Sequence, residues 1–397
     1  MLTAAPLPTW SSLLRAVARP HSASDIAAPW RGPGDAAGWL SRSAWSLALI
    51  ALWRKRQTQA ASVTVWVPDL FCNASLVALR ATGVDLVFYP VTGELTPDFA
   101  AFDSLAAAKP PDLFMLVHFF GLPSSAAVAR EFCSRNRSWL IEDAAHVLRR
   151  SAGVGEHGDF VLYSPHKHLP IPDGAVLIAR ANGPAQLGAA GIAALGPTNS
   201  WPAQLLGLQR QLGCSRNRSR LRTGSWLVKR LLQKLTRRQW QRKHPPFAEI
   251  LPAQPAQAGP LGLPAPSRLG QRLLREVVPE METVAQRRKD NQRLWDAMLC
   301  RPEVLQGQRV APAARPEDVD WTPYLAAYRV DSAAAQAITE ALQRQGLPVT
   351  TWPDLPPEVS SNTQHHANAW AQRHSRLYLS VHQTLRIPQA NRRGKQQ

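Results

Sequence analysis

Between residues 63 and 141 the sequence alternates short apolar runs with stretches of helical character. The apolar runs, which predict strands, are 63–67, 85–89, 113–117 and 138–141. The intervening predicted helices are 73–82, 98–108 and 125–135. Continuously apolar strands separated by helices are typical of a mostly parallel sheet that is covered on both faces. We therefore predict an α/β fold, with two further strands at 160–163 and 175–179.

Several polar or aromatic residues directly follow these predicted strands. They are Asp69, Phe71, His118 and Asp143. Parallel sheets bind their ligands beyond the carboxyl ends of the strands. We therefore expect these four residues to gather on one rim of the sheet.

A carboxylate and a lysine follow two of the strands at a short interval. Asp143 comes after the run Leu140-Ile141, and Lys167 lies in a turn rich in proline and histidine after strand 160–163. Pyridoxal phosphate (PLP) needs a lysine to carry its aldehyde as a Schiff base and an acid to keep its ring nitrogen protonated. The pair predicts a PLP site, although Asp143 could instead cap a following helix and Lys167 could be an ordinary surface lysine.

Further residues could complete such a site. Ser164 could hold the phosphate through its hydroxyl, opposite Ser43 and Ala44. The run 40–52 predicts an apolar helix that opens with serine at its N-cap, where free N–H groups and the helix dipole favour a phosphate. An ordinary capped core helix is the alternative for that run.

The cofactor ring also has candidate neighbours in the sequence. Phe71 could stack on the ring, although Cys72 is nearly as well placed. His146 follows Asp143 by three residues and could reach the ring hydroxyl. Glu142 points the other way along the strand, so we expect it to be structural.

Other site types find little support in the sequence. It contains no GxGxxG after the first strand, no GxxxxGK[ST] and no HExxH. His118, His146, His166 and His168 could suggest a metal site, but no carboxylate or thiol completes a convincing set of ligands with them. We therefore expect no metal site. The four cysteines have no CxxC spacing, which favours a reducing, cytoplasmic setting over a disulfide or zinc scaffold.

The chain is strongly basic, with 46 basic and 28 acidic residues and a net charge of +18. The electrostatic field of so positive a chain favours anionic partners. Twelve of the basic residues lie in 210–243, where apolar residues at helical spacing predict a basic amphipathic helix. This helix could pack on the protein body, or dock on an anionic membrane or a phosphorylated substrate. We expect no nucleic acid partner, and no apolar run approaches the roughly 20 residues of a membrane-spanning helix.

The chain divides into four predicted regions: an N-terminal extension of little periodicity (1–35), a large cofactor domain (36–180), a basic insert with a Pro-rich linker (181–265) and a small C-terminal domain (266–397). In the last region we predict a long helix and a β-α-β arrangement. Their predicted ranges are 269–299 for the long helix, then 324–330, 332–345, 348–352 and 377–380.

Three motifs resemble the core of the DegT/DnrJ/StrS-type aminotransferases, which are PLP enzymes of fold type I. They are Ile141 to His146, Gly158 to Phe160 and Ser164 to Gly174. Supporting stretches lie at 67–83, 118–121, 285–294 and 380–385. This chain departs from the family at Gly174-Ala175, where two glycines are usual, and in its basic insert.

The resemblance implies a fold type I enzyme with a large, mostly parallel sheet domain and a smaller α+β domain. It implies that Lys167 carries the cofactor, that Asp143 pairs with the pyridine nitrogen and that His146 is a cofactor neighbour. It further implies a homodimer that transfers an amino group, from glutamate, to a nucleotide-linked keto-sugar used in polysaccharide or secondary metabolite synthesis. Some relatives replace the lysine with histidine, so Lys167 favours transamination. A non-catalytic member that binds through its basic insert is the alternative.

Overall fold

The computed structural model describes residues 6–18, 25–181, 264–299, 321–347 and 349–385, together with 183, 207, 224–228, 311–312 and 387. The predicted basic helix of 210–243 lies outside the described residues, except for 224–228, which are helical. Most of the predicted linker and the basic tail also lie outside them.

The larger sheet has seven strands in the order β1-β7-β6-β5-β4-β2-β3. Its strands are β1 (Ala36–Leu40), β2 (Thr64–Pro68), β3 (Asp85–Tyr89), β4 (Leu113–Val117), β5 (Trp139–Ala144), β6 (Phe160–Tyr163) and β7 (Ala175–Ala179). Strands β2 to β6 are parallel to one another, whereas β7 is antiparallel to both β6 and β1. The predicted α/β fold with a mostly parallel sheet is confirmed.

Helices and short 3-10 turns connect these strands and flank the sheet. The helices of this half are α1 (Trp10–Ala18), α2 (Ser43–Thr58), α3 (Val77–Arg80), α4 (Phe102–Ala108), α5 (Ala126–Asn136) and α6 (Pro165–His168). Every residue of β4 and β5 is buried, because these strands lie in the middle of a sheet covered on both faces. Burial of each large apolar side chain stabilises the fold by about 1.5–3 kcal/mol.

Two elements of the N-terminal region differ from the sequence-based expectation. Helix α1 forms within the extension that we expected to lack periodicity, and Arg15 on it pairs with Glu276 at 2.9 Å. Strand β1 was not predicted, because its two alanines and a glycine have low strand propensity. Strand β1 is stabilised by its pairing with β7, which is distant in sequence, and not by local propensity.

The predicted long helix is two helices, α7 (Arg268–Val277) and α8 (Met281–Leu299), joined by a 3-10 turn. Pro279 lies in that turn and has no N–H to continue the α-helical hydrogen bonding. The predicted helix at 73–82 is likewise shorter, with a 3-10 turn at Asn73–Ser75 before α3.

The C-terminal elements form a second, antiparallel sheet of four strands in the order β10-β11-β9-β8. Its strands are β8 (Ala311–Pro312), β9 (Leu325–Arg329), β10 (Val349–Thr350) and β11 (Arg376–Ser380), and its helices are α9 (Ala335–Arg344), α10 (Pro357–Ser360) and α11 (Ala367–His374). The predicted β-α-β segment corresponds to β9, α9 and β10. Trp295 of α8 is fully buried against this sheet and donates its indole N–H to the Ser380 carbonyl at 2.8 Å.

Candidate active site

A cleft of about 450 Å³, counting the space at its mouth, lies beyond the carboxyl ends of β4 and β5. Six of the seven residues predicted for the cofactor site line it: Ser43, Ala44, Phe71, Asp143, His146 and Lys167. The tertiary fold thus brings together residues from α2, from the segment after β2, from β5 and from α6. Strand-end positions predicted the places of Phe71 and Asp143, whereas those of Ser43 and Ala44 were predicted from a helix start.

Asp143 lies inside β5, because that strand extends to Ala144 rather than ending at residue 141 as predicted. Its backbone pairs with both neighbouring strands, at Val117 and Leu162. Its Oδ1 accepts a hydrogen bond from the Ala145 N–H at 2.9 Å. Among the described residues, Oδ2 has no hydrogen-bond partner. Since no helix begins after Asp143, the alternative of a helix cap is wrong.

The charges of Asp143 and Lys167 each counteract the effect of burial on the pKa of the other. Burial raises the pKa of the Asp143 carboxyl, and the nearby Lys167 charge works against that rise. Burial likewise lowers the pKa of the Lys167 amine, against the influence of Asp143 and Cys72. The lysine therefore has a larger neutral fraction at a given pH than an exposed lysine.

Lys167 is the third residue of the short helix α6, which follows β6 directly. In the part of the chain that the structure describes, its amine has no hydrogen-bond acceptor. It lies 5.8 Å from the centre of the Tyr324 ring. An amine without a polar partner is free to react with a carbonyl compound in the cleft.

His146 is held as a neutral ring between two aromatic residues. It lies 4.4 Å from the Tyr324 ring and 5.6 Å from the Phe120 ring, nearly parallel to both. Its Nδ1 accepts the Phe120 N–H at 3.2 Å, so its proton is on Nε2. Burial, and then the Lys167 charge, hold the pKa of His146 well below its ordinary value. His146 is therefore a hydrogen-bond donor in the wall of the cleft.

The turn before α2 differs in detail from the prediction. The N-cap residue is Arg42, whose side chain makes no capping hydrogen bond, and Ser43 is the first helical residue. The predicted serine cap is therefore wrong. Ser164 is fully buried and does not line the cleft; its hydroxyl donates to the Ser43 hydroxyl at 3.0 Å. The first N–H groups of α2 remain available to an anion.

Asp69 directly follows the carboxyl end of β2, as expected, but its side chain does not line the cleft. Its Oδ1 accepts the Val91 N–H at 3.2 Å, and its Oδ2 lies 3.2 Å from Nδ1 of His366. Burial raises the pKa of Asp69, against the effect of His366. Asp69 therefore joins the large sheet to the C-terminal region.

His118 likewise directly follows the carboxyl end of β4, as expected, but its side chain does not line the cleft. Its Nδ1 accepts the Ser124 N–H at 3.0 Å, which leaves the proton on Nε2. That N–H donates to Oε2 of Glu142 at 2.8 Å, and both side chains are fully buried. The side chain points away from the cleft because it completes a polar network behind the sheet.

Glu142 is the centre of this network and has the structural role expected for it. Its carboxylate accepts the N–H groups of Gly155 at 2.6 Å, His157 at 2.9 Å and Gly158 at 2.5 Å. Burial alone would raise the pKa of Glu142, but the His118 hydrogen bond and these amides bring it down to about 2. The network holds the loop before β6, the strand that leads to Lys167.

Two neighbours of the site come from the C-terminal half and were not predicted. Trp352 lines the cleft and Tyr324 stacks on His146. The buried Arg288 donates to the carbonyls of Pro323, Tyr324 and His168, at 3.1 Å each. It therefore ties Tyr324 to the segment that carries Lys167. No local sequence pattern marks these residues, since their places depend on how the two halves pack.

The described residues contain no group of three or more side chains that could bind a metal ion. None of the helices in this part of the chain has the length and apolar character to cross a membrane. The described cysteines, Cys72 and Cys133, are not in disulfides.

No protein-family model matches the chain, and no curated protein sequence matches it. Solved structures do match over nearly its full length. A putative sugar aminotransferase from Streptococcus pneumoniae, in its PMP form, matches at 16% identity over 96% of this chain and 93% of its own, with a TM-score of 0.65. Helicobacter pylori PseC, an aminotransferase of pseudoaminic acid biosynthesis, matches at 10% identity over 97% and 95%, also with a TM-score of 0.65.

A DegT DnrJ EryC1 StrS aminotransferase from Brucella abortus matches at 15% identity over 87% of this chain and 81% of its own, with a TM-score of 0.59. These likenesses establish the fold of this chain as that of the fold type I aminotransferases. The fold that the sequence motifs implied is thereby confirmed.

Proposed function

We propose that this protein is a PLP-dependent aminotransferase. The observation that carries the proposal is that Asp143 and the unpartnered amine of Lys167 share one cleft, at the N-terminus of α2. These are the groups that the ring nitrogen, the aldehyde and the phosphate of PLP require. The fold, which is shared with aminotransferases solved in PLP and PMP forms, supports the proposal.

The residue types that line the cleft fit the chemistry of the cofactor. The N–H groups at the start of α2 and the Ser43 hydroxyl, backed by Ser164, would hold the phosphate. Asp143 Oδ2, which has no partner among the described residues, would pair with the ring nitrogen. Phe71 would stack on the ring, and the His146 Nε2–H would donate to the ring oxygen.

PLP, when bound, supplies an electron sink that stabilises negative charge on a substrate carbon. The protein supplies the protons and the orientation. The Asp143 carboxylate would face the ring nitrogen and favour its protonated form. Burial lowers the pKa of Lys167, so its Nζ gives up a proton more readily than that of an exposed lysine, as a general acid and base must. The aromatic walls Phe119 and Trp352 limit the access of water.

For the substrates, we propose glutamate as amino donor and a nucleotide-linked keto-sugar as acceptor. The solved structures of sugar aminotransferases support a sugar, and the net charge of +18 supports an anionic nucleotide group. We further propose a homodimer, as the family resemblance implies, and a cytoplasmic setting, which the sparse cysteines support.

Absorption spectroscopy of the purified protein tests the proposal. Added PLP is expected to give the absorbance of lysine-linked cofactor, and glutamate is expected to convert it to that of pyridoxamine phosphate. Lys167→Ala should abolish the first signal, whereas Lys109→Ala, which removes a surface lysine paired with Asp85, should retain it. A wild-type protein that shows no lysine-linked absorbance would refute the proposed function.

A second candidate function is that of a binding module that uses the basic insert. The observation in its favour is the twelve Lys and Arg residues of 210–243 beside apolar residues at helical spacing. Such a segment favours an anionic membrane surface. Binding to anionic vesicles that weakens with salt, in a protein without transaminase activity, would support this function over the first.

A further inference from the structure

The turn before α2 contains a positively charged residue, Arg42, which has no role in the proposed function so far described. Arg42 immediately precedes Ser43 and Ala44, the two residues that present their N–H groups to the cleft. Its backbone is extended, with φ −147° and ψ 151°, and its side chain does not cap the helix. The guanidinium group therefore takes no part in capping the helix.

Three hydrogen bonds attach this turn to the segment that carries Lys167. The Gly174 N–H donates to the Ser41 carbonyl at 3.0 Å, and the Ser164 hydroxyl donates to the Ser43 hydroxyl at 3.0 Å. The third comes from Arg42 itself, whose Nη2 donates to the Pro172 carbonyl at 3.2 Å. The guanidinium group is thus held against the loop between α6 and β7.

Within the described part of the chain, no carboxylate lies within 4 Å of the Arg42 guanidinium group. The charge of Asp173 acts on Arg42 from a greater distance and raises its pKa against the effect of burial, while Oδ1 of Asp173 accepts hydrogen bonds from the N–H and the hydroxyl of Ser267, at 2.8 and 2.9 Å. After burial, the charge of Arg42 is a further influence that lowers the pKa of Lys167. Arg42 does not itself line the cleft but directly precedes Ser43, which does, and among the described residues Asp143 is the only carboxylate in the lining.

We propose that Arg42 binds the phosphate group of the cofactor and supplies its countercharge from within the same chain. This inference rests on the proposed function. A guanidinium group presents parallel N–H donors that match two phosphate oxygens, and four of its five N–H groups remain beyond the bond to Pro172. Together with the first N–H groups of α2 and the Ser43 hydroxyl, it completes a site for a dianion at the start of a helix.

The test compares PLP with pyridoxal, which carries the same aldehyde and ring but no phosphate. Dissociation constants of both are measured on the apoprotein from the absorbance of the lysine-linked form. Arg42→Ala is expected to weaken PLP binding about tenfold, as for the loss of one charge-assisted contact, and to leave pyridoxal binding within about twofold. Arg42→Lys keeps the positive charge but not the parallel N–H donors, so its dissociation constant for PLP should lie between those of the wild type and of Arg42→Ala.

Arg56→Ala is the matched control, because Arg56 lies in the last turn of the same helix, away from the cleft. It should leave both constants unchanged. An Arg42→Ala protein that binds PLP and pyridoxal with the wild-type ratio would overturn the role of Arg42, even if the Michaelis constant for a nucleotide-linked substrate rises. Failure of the wild-type protein to form lysine-linked cofactor would instead refute the proposed function, and this inference with it.

Discussion

The His118 imidazole donates a hydrogen bond from Nε2 to Oε2 of Glu142 across 2.8 Å, at a point where neither side chain is exposed to solvent. The same carboxylate accepts three backbone N–H groups of residues 155–158. This network lies behind the cleft and supports the loop that leads into β6.

Acid should destabilise the protein through Glu142. Its pKa is about 2 in the folded protein and close to 4.5 in an unfolded chain, so its contribution to stability is full above pH 4.5 and is lost as the pH falls toward 2. That contribution is on the order of 3 kcal/mol. Thermal unfolding measured between pH 6 and pH 3 should show a steep decline.

In Glu142→Gln the decline should be shallower and the protein less stable at pH 7, because an amide presents one N–H₂ group to backbone donors. Glu358→Gln, which changes an exposed partner of Arg80, is the control and should behave as wild type. An unchanged acid profile in Glu142→Gln would contradict the assignment.

Asp143→Asn should reduce the turnover number about a hundredfold or more while the protein still binds PLP through Lys167. The reason is that an amide cannot keep the ring nitrogen protonated, so the ring loses much of its capacity to accept electrons. Steady-state kinetics with glutamate and a keto-sugar acceptor measure the loss. A cofactor methylated at the ring nitrogen carries the charge permanently and should restore part of the rate; equal activity of the variant with ordinary PLP would exclude this role of Asp143.

The attachment of PLP to Lys167 should depend on pH with a midpoint below the ordinary lysine value of about 10.4. Burial lowers the pKa of this amine, so the reactive neutral form appears at lower pH. Asp143 opposes that shift, and Asp143→Asn should therefore move the midpoint further down. Stopped-flow absorbance of the apoprotein with PLP gives both profiles; a midpoint in the variant above that of the wild type would contradict the predicted direction.

Gly121→Ala should destabilise the protein by at least about 2 kcal/mol. Gly121 has a φ of +95°, and an added Cβ would lie 2.5 Å from the Thr322 carbonyl oxygen and 2.9 Å from that of His146. Denaturant unfolding measures the change. Gly93→Ala is the control, since its φ is not in the left-handed region and the nearest atom to an added Cβ is 3.8 Å away. Equal stability of the two variants would mean that the close approach of the two halves at Gly121 is not required.

Much of the fold and the centre of the site were predictable from local pattern. Asp143 and Lys167 were found because each closely follows an apolar strand, and the edge of a parallel sheet gathers such residues. The same rule placed Asp69 and His118 at strand ends, where they do lie, but their side chains do not line the cleft. Which way a side chain turns after a strand depends on its partners, and those partners, His366 and Glu142, are distant in sequence.

The remaining features depend on tertiary contacts that no local pattern records. Strand β1 has weak propensity and exists through its pairing with β7. Trp352 and Tyr324 reach the cleft only because the C-terminal half folds onto the large sheet. Arg42 was passed over because serine at the start of a helix is the usual sign of a cap.

The pairing of β1 with β7 also governs the order in which the site can be assembled. The hydroxyls of Ser43 and Ser164 meet across 121 residues of sequence, and Leu40 pairs with Ala175. A nascent chain that has not yet emerged past β7 lacks the neighbour that fixes the start of α2. Because contacts of such long sequence separation form late and slowly, cofactor capture is expected to follow completion of the sheet during synthesis rather than to guide it.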